Sequence, residues 1–114
     1  MRLSSSMKYN YEFRRLYATG KSAATPLLAL YCRRNRKGMS QLGVTVGAKV
    51  GKAVLRNRVR RRLKEIYRLN EADIRPGFDI VIVARVKSRD ATYQQLEADF
   101  LRLVDKLNLR VLPL

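Results

Sequence analysis

The chain has 114 residues, with 25 Lys or Arg against 9 Asp or Glu, so its formal net charge is +16. This length suits one domain, and a hydrophobic fraction of 46% is enough for an ordinary core, which excludes wholesale disorder. The absence of His and the presence of one Cys exclude an intramolecular disulfide and a Cys/His zinc site. The surplus of positive charge predicts a polyanionic partner, of which nucleic acid is the commonest.

The start of the sequence, residues 1–6, lacks the apolar stretch of a signal peptide. No segment approaches the roughly 20 apolar residues that a membrane span needs. We therefore expect a cytoplasmic protein without a membrane partner. We also expect residues 1–114 to form a single nucleic-acid-binding domain, with about residues 1–8 flexible.

The first predicted element is a short helix that begins at Asn10, a good N-cap residue. Phe13, Leu16 and Tyr17 follow at helical spacing, and Gly20 stands where a helix usually ends. Spacing alone favours a place in the core for these apolar side chains.

Two alternating segments come next, at residues 27–33 and 41–47, with a turn at residues 35–38 between them. This pattern is typical of a β-hairpin. In the second segment, Leu42, Val44 and Val46 share one face, and the glycines leave the opposite face shallow.

The second half of the chain predicts two helices and one strand. A helix is expected over 53–69, and a turn at 75–77 leads into the nearly continuous apolar segment 78–86, which is typical of a central strand buried on both faces. A capping-box pattern at 92–95 begins a last helix of about four turns. The predicted order is αββαβα, which favours an α+β, two-layer sandwich with helices against a single small sheet.

The second helix is strongly basic, since nine of the positive charges fall between residues 49 and 68. At 100° per residue, its apolar side chains gather on one side and its basic side chains gather on the other. The apolar side carries Leu55, Val59, Leu63, Ile66 and Tyr67, and the opposite face carries Asn57, Arg61, Lys64 and Arg68. Such a face is either solvated or bound to phosphate. The charge density, the scarcity of acids and the dominance of Arg favour phosphate.

The segment 51–61, which reads GKAVLRNRVRR, resembles the signature of the bacterial ribonuclease P protein subunit, whose hallmark is an Arg-Asn-Arg core on a basic helix. The likeness extends along most of the chain. The first helix is similar to the family pattern through Asn10, Phe13 and Tyr17, and residues 30–31, 43–46 and 80–85 resemble its strands.

The resemblance implies an accessory role in an endoribonuclease. In this family the RNA subunit, with its bound magnesium, carries out phosphodiester hydrolysis. The protein holds the 5′ leader of precursor tRNA and strengthens magnesium binding. We predict no catalytic residue and name no metal ligand in this chain, and the sequence leaves open whether the protein itself binds a metal ion. The resemblance also implies a left-handed βαβ crossover in the fold.

The resemblance assigns two sets of binding residues. Contacts with the RNA subunit are expected from Lys49, Lys52, Arg56, Asn57, Arg58, Arg60, Arg61 and Arg62. The leader is expected in a cleft between the first helix and the sheet, against Phe13, Tyr17, Tyr31, Val44 and Val46, with Arg85 also near the RNA. Arg85 fits a plain charge at the end of a strand equally well. The roles of Tyr9 and Tyr11 stay open, and Cys32 is expected to be a small buried side chain.

Four other classes of function share some of these sequence features. A nuclease that works without RNA fits poorly, because the chain has no His and its acids are scattered. A structural RNA-binding protein of the ribosomal kind fits the size and charge equally well. A helix-turn-helix DNA binder lacks a partner helix at short spacing, and a membrane-surface or calmodulin-binding helix leaves the sheet unexplained.

Overall fold

The computed structural model describes residues 4–111, which form one mixed five-stranded sheet and three α-helices. The strands are β1 (Ser4–Ser6), β2 (Lys21–Ala24), β3 (Leu28–Arg34), β4 (Ser40–Val46) and β5 (Phe78–Ala84). The helices are α1 (Asn10–Thr19), α2 (Ala53–Asn70) and α3 (Tyr93–Lys106). The predicted α+β class with a single sheet is confirmed.

The strand order β1-β4-β5-β3-β2 makes β5 the central strand, as its apolar sequence predicts. β5 pairs antiparallel with β3 and parallel with β4. The predicted hairpin between β3 and β4 is therefore wrong, because β5 lies between them. The turn at residues 35–38 marks where the chain reverses, but the burial of β5 on both faces decides which strands become neighbours.

Two short edge strands have no counterpart in the predicted order αββαβα. β1 pairs parallel with β4, and the Met7 amide continues the ladder by donating to the Leu42 carbonyl at 2.8 Å. Residues 4–7 thus pair with β4, and the flexibility expected for residues 1–8 stays a prediction, of which residues 1–3 lie outside the described part. β2 pairs antiparallel with β3. Both strands are held by main-chain hydrogen bonds. Neither therefore needs the alternating apolar pattern by which a strand is recognised in a sequence.

The helices cover the two faces of the sheet unequally. On one face, α2 and α3 enclose the main core, in which Leu63 and Phe100 pack with Leu30 and Ile82. The predicted capping box of α3 is confirmed, with Thr92 and Gln95 satisfying each other's backbone amides. On the other face, α1 alone packs over a small cluster that contains Leu16 and Val81.

The junction between α1 and β2 depends on Gly20. A Cβ at this position would lie 2.6 Å from the Leu16 carbonyl oxygen and 2.8 Å from the Cys32 carbonyl oxygen. The φ angle of Gly20 is −80°, so glycine is required for close approach of the backbone and not for a left-handed conformation. This contact fixes the end of α1 against β3.

Candidate nucleic-acid interface

α2 connects the parallel strands β4 and β5, and this position fixes which of its sides is solvent-exposed. Val59, Leu63, Ile66 and Tyr67 are buried, as the helical projection predicts, whereas Leu55 is only half-buried. Because the apolar side faces the sheet and α3, the basic side chains face outwards.

Four of the predicted RNA-contacting residues present unengaged charges. Lys49, Lys52, Arg58 and Arg61 are exposed and form no hydrogen bond or ion pair with another side chain of residues 4–111. Lys49 and Lys52 lie just before α2, where the unpaired amides of the first helical turn add a favourable field for anions. These four cations, with the other basic residues of the predicted set, are called the cationic face below.

Three further members of the predicted set are held in place by short-range contacts. Arg56 Nε donates to the Gly51 carbonyl at 3.1 Å, and Arg60 Nη1 donates to Asn57 Oδ1 at 2.9 Å. Arg62 Nη1 donates to the Ala91 carbonyl at 3.4 Å. A guanidinium carries five N–H donors, so each arginine keeps donors for a phosphate after making its internal bond.

Gly51 shapes the loop that leads into α2. Its φ of 153° lies in the region that favours glycine, and a Cβ there would lie 2.7 Å from Leu55 Cδ2. This close approach places Lys52 at the N-cap of α2, next to the first basic turn.

A second surface lies on the opposite face of the sheet, beside α1. The strand register aligns Gly43, Val81 and Tyr31 in one row beneath α1. The next row consists of Thr45, Val83 and Ala29, which are all half-buried. This half-buried second row lies beside the row that α1 covers, and the strip of surface that it forms along the flank of α1 is called the trough below, with the second row as its floor.

Aromatic side chains form the wall of this trough. Tyr17 packs edge-on against Tyr31, with ring centroids 4.8 Å apart and an interplanar angle of 78°, and it stays 41% exposed. Phe13 is half-buried and lies over Gly43, where a Cβ would come within 2.6 Å of Phe13 Cε1. The structure therefore brings Phe13, Tyr17 and Tyr31 together, as predicted. Each ring is partly packed and partly accessible.

The predicted placement of Val44 and Val46 in this cleft is wrong. Both side chains pack against the main core on the face covered by α2, and Val46 is buried. Side chains alternate along a strand, so Gly43 and Thr45 are the β4 residues that face α1. The shallow, glycine-bearing face of this segment was the signal for the floor residues that sequence reasoning missed.

Arg85 follows the central strand two residues beyond Val83, at the end of the trough. It is exposed, and Nη1 donates to the Thr25 carbonyl at 3.2 Å while the backbone amide donates to the Leu27 carbonyl at 2.9 Å. This cation is therefore anchored to the β2–β3 turn and adjoins the trough floor.

Within residues 4–111, no three His, Cys, Asp or Glu side chains come together as a metal site requires. Cys32 is buried as predicted, and burial raises the pKa of its thiol, which makes it a poor nucleophile. In the same range, no helix is long and apolar enough to cross a membrane.

Comparison with known proteins gives the same family at three levels. Residues 1–108 match the family model described as Ribonuclease P. The ribonuclease P protein component of Clostridioides difficile (strain 630) is 42% identical over 109 residues, which covers 95% of this chain and 96% of the relative. That of Alkaliphilus metalliredigens (strain QYMF) is 40% identical and covers 96% of this chain and 98% of the relative.

Two solved structures have the same fold. The Staphylococcus aureus RNase P protein superposes with a TM-score of 0.86 at 28% identity, over 93% of this chain and 97% of that chain. The Thermotoga maritima protein gives a TM-score of 0.81 at 29% identity, over 90% of this chain and 96% of that chain. The fold and the sequence comparisons therefore point to the same family. The chain has a basic helix between parallel strands and an aromatic trough on the other face, and its relatives match it over nearly its whole length. The chain belongs to the ribonuclease P protein family, the protein components of a ribonucleoprotein endoribonuclease.

Proposed function

We propose that this chain assists the catalytic RNA subunit of ribonuclease P, in the cytoplasm, in removing the 5′ leader from precursor tRNA. In this proposal the cationic face binds the RNA subunit and the trough binds the leader. The observation that carries it is the separation of two chemically different surfaces by one sheet, with unengaged cations on α2 and partly exposed aromatic rings beside α1.

The cationic face supports RNA binding through its unengaged charges. Lys49, Lys52, Arg58 and Arg61 form no ion pair with an acidic side chain among the described residues, so a polyanion relieves their mutual repulsion. Arginine also contacts a phosphate through two parallel N–H bonds, which fixes its orientation as well as its charge. Arg56, Asn57, Arg60 and Arg62 are assigned to the same surface.

The trough supports leader binding because its chemistry is tolerant of sequence. Stacking on Phe13, Tyr17 and Tyr31 accepts any base, and leaders have no common sequence to read. The side chains of the floor residues Thr45 and Val83 are small enough to let the single-stranded leader approach the sheet. Arg85, at the end of the trough, is assigned to a backbone phosphate.

Magnesium is assigned to the RNA subunit, where it supplies the metal-ion chemistry of phosphodiester hydrolysis. Residues 4–111 hold no group of three His, Cys, Asp or Glu side chains that could bind it. The protein instead lowers the repulsion between leader and RNA-subunit phosphates by placing cations between them. This screening lets the phosphates that bind magnesium come together at a lower metal concentration.

The test is cleavage of a 5′-extended precursor tRNA at low magnesium by the cognate RNA subunit, with and without this protein. We expect little cleavage by the RNA alone, none by the protein alone and a large gain for the mixture. If the protein binds RNA tightly and in a salt-sensitive way but gives no gain, the assisting role is wrong and a structural RNA-binding role replaces it.

A further inference from the structure

The flank of α1 that faces away from the trough borders a second depression, which none of the assignments above uses. Residues two positions apart on a helix point in nearly opposite directions, about 200° apart. Phe13 and Tyr17 border the trough, and Tyr11 and Arg15 accordingly border a cavity of about 480 Å³ on the other flank. This cavity, called the basic pocket below, is lined by Tyr11, five basic residues and four others: Arg15, Arg33, Arg34, Arg36 and Lys37, with Glu12, Leu16, Asn35 and Asp79.

The basic pocket carries more positive charge than its own acids can balance, since five cations and two carboxylates line it. Lys37 Nζ lies 3.7 Å from Glu12 Oε1, and Asn35 Nδ2 donates to Asp79 Oδ1 at 2.9 Å. Glu12 Oε2 is buried and has no hydrogen-bond partner among the described residues. Arg33 stands opposite Asp79 in the strand register and still forms no ion pair with it.

The other guanidinium groups of the pocket are equally unengaged. The side chains of Arg15, Arg34 and Arg36 form no hydrogen bond or ion pair with any residue between 4 and 111. An anion among these groups therefore gains charge-assisted hydrogen bonds without first breaking internal ones.

The loop that supplies Arg36 and Lys37 is held in one conformation. Asn35 Nδ2 also donates to the Met39 carbonyl at 3.1 Å, and Asn35 Oδ1 accepts from the Lys37 amide at 3.0 Å. Gly38 completes the turn with a φ of 75°. These bonds order the loop before a ligand arrives, which lowers the entropic cost of binding.

An exposed aromatic pair adjoins the same cavity. Tyr11 is 55% exposed and stacks on Tyr9, with ring centroids 5.5 Å apart and planes 15° from parallel. Two stacked rings held in solvent offer a platform for a base. The combination of guanidinium groups, an aromatic ring and a cavity of this size is typical of a nucleotide site.

We infer that the basic pocket binds one unpaired nucleotide of RNA, with its phosphate among Arg15, Arg33 and Arg36 and its base on Tyr11. This site is separate from the trough and from the cationic face. The inference rests on the proposed function only because it takes RNA as the partner. The nucleotide comes from a longer leader or from the RNA subunit, since both offer a phosphate and an unpaired base.

The test uses the assembled holoenzyme with the photo-crosslinking residue p-azidophenylalanine in place of Tyr11. The same residue in place of Tyr17 tests whether RNA lies in the trough. The same residue in place of Gln94, which is exposed on α3, measures the background level of crosslinking. We expect the probe at position 11 to crosslink RNA several-fold above the probe at position 94. Mapping the crosslinked nucleotide to the leader or to the RNA subunit identifies the source.

A matched pair of variants ties the crosslink to the pocket. Arg15→Ala with Arg36→Ala removes two exposed cations and should reduce the yield at position 11 to background, while the yield at position 17 is unchanged. Arg102→Ala with Lys106→Ala removes the same charge from α3, on the other face, and should change neither yield. For a single-stranded RNA and the free protein, the pocket variant should also flatten the salt dependence of log K by about 0.7, which corresponds to the loss of the one phosphate contact in the pocket.

Three results would overturn the inference. The first is a crosslinking yield to RNA at position 11 that is no higher than the yield at position 94. The second is a crosslinking yield at position 11 that is unchanged in the variant that lacks Arg15 and Arg36. The third is a crosslink to protein alone, which would assign the pocket to an acidic polypeptide. If position 17 fails to crosslink the leader while position 11 crosslinks RNA, the leader assignment of the trough fails and the basic pocket stands.

Discussion

The ring of Phe13 occupies the space that a side chain at position 43 would need, since a Cβ on Gly43 would lie 2.6 Å from Phe13 Cε1 and 2.8 Å from Phe13 Cζ. The contact joins α1 to the middle of β4 and sets the height of the helix above the sheet. The depth of the trough thus depends on a residue that has no side chain.

The first prediction concerns this contact. Gly43→Ala should destabilise the protein by about 1–3 kcal/mol, because Phe13 must move out of a packed position. Gly47→Ala is the matched control, since no atom lies within 4 Å of its Cβ position and its φ of −72° suits any residue. Urea unfolding measures both. Equal stability of the two variants would mean that the Phe13 ring can shift without cost.

The second prediction concerns Tyr17. Tyr17→Ala should weaken the binding of precursor tRNA relative to mature tRNA by about 1–3 kcal/mol, the contribution of one stacked base. Tyr17→Phe keeps the ring and should bind nearly as wild type. The measurement is the ratio of the two dissociation constants in the holoenzyme. A loss shared equally by both tRNAs would contradict the assignment of the leader to the trough.

The third prediction concerns the cationic face. If six to eight phosphates are contacted, log K for RNA should fall against log[salt] with a slope of about −4 to −7. Arg61→Ala should reduce the magnitude of this slope by about 0.7–0.9, because one phosphate contact is lost. Lys106→Ala removes the same charge from the exposed surface of α3 and should leave the slope near its wild-type value. Equal changes in both variants would indicate an effect of net charge alone.

The fourth prediction concerns the hydroxyl of Tyr67, which lies 2.7 Å from Ser4 Oγ and ties β1 to α2. Tyr67→Phe should cost about 0.5–1.5 kcal/mol at neutral pH, the net contribution of one hydrogen bond. Tyr93→Phe is the control, because Tyr93 Oη is buried and has no hydrogen-bond partner within the described residues. Its removal should be neutral or stabilising.

The same variant should change the response to alkaline pH. Burial raises the pKa of Tyr67 above its ordinary value of 10.0, so the folded state favours the protonated phenol. The stability that this provides is fully present below the pKa of the unfolded chain and is lost as pH rises through the raised pKa. Urea unfolding at neutral pH and above pH 10 should show a smaller alkaline loss for Tyr67→Phe than for wild type. An identical loss would mean that other groups, such as Cys32, account for the alkaline dependence.

The elements whose burial is strong could be predicted from the sequence. The apolar segment of β5, the amphipathic pattern of α2 and the capping box of α3 each carry their signal locally, and the structure bears them out. β1 and β2 could not be found in this way. Ser4–Ser6 and Lys21–Ala24 become strands because an edge of the sheet offers unpaired main-chain groups, which is a property of the folded neighbour.

The candidate site was predictable in its residue types and less so in its geometry. Alternation along β4 separates Val44 from Thr45, but it cannot say which face α1 will cover. That choice depends on α2, whose larger apolar surface takes the face with Val44 and Val46. Phe13 and Tyr17 lie on one flank of α1, as their helical spacing predicts, because that spacing is independent of the sheet. Their role in binding a leader came from the family resemblance and stays a prediction.

The place of β5 in the sheet affects how the chain can fold while it is being synthesised. β3 and β4 are complete by Val46, yet the strand that joins them ends only at Ala84. In a nascent chain, the edges of β3 and β4 that pair with β5 therefore stay without a partner until all of α2 has been synthesised. Forming the sheet then costs the conformational entropy of closing a long loop. Ribosome-bound chains that stop before Ala84 should be sensitive to protease, and protection should arise in one step once β5 and α3 have left the exit tunnel.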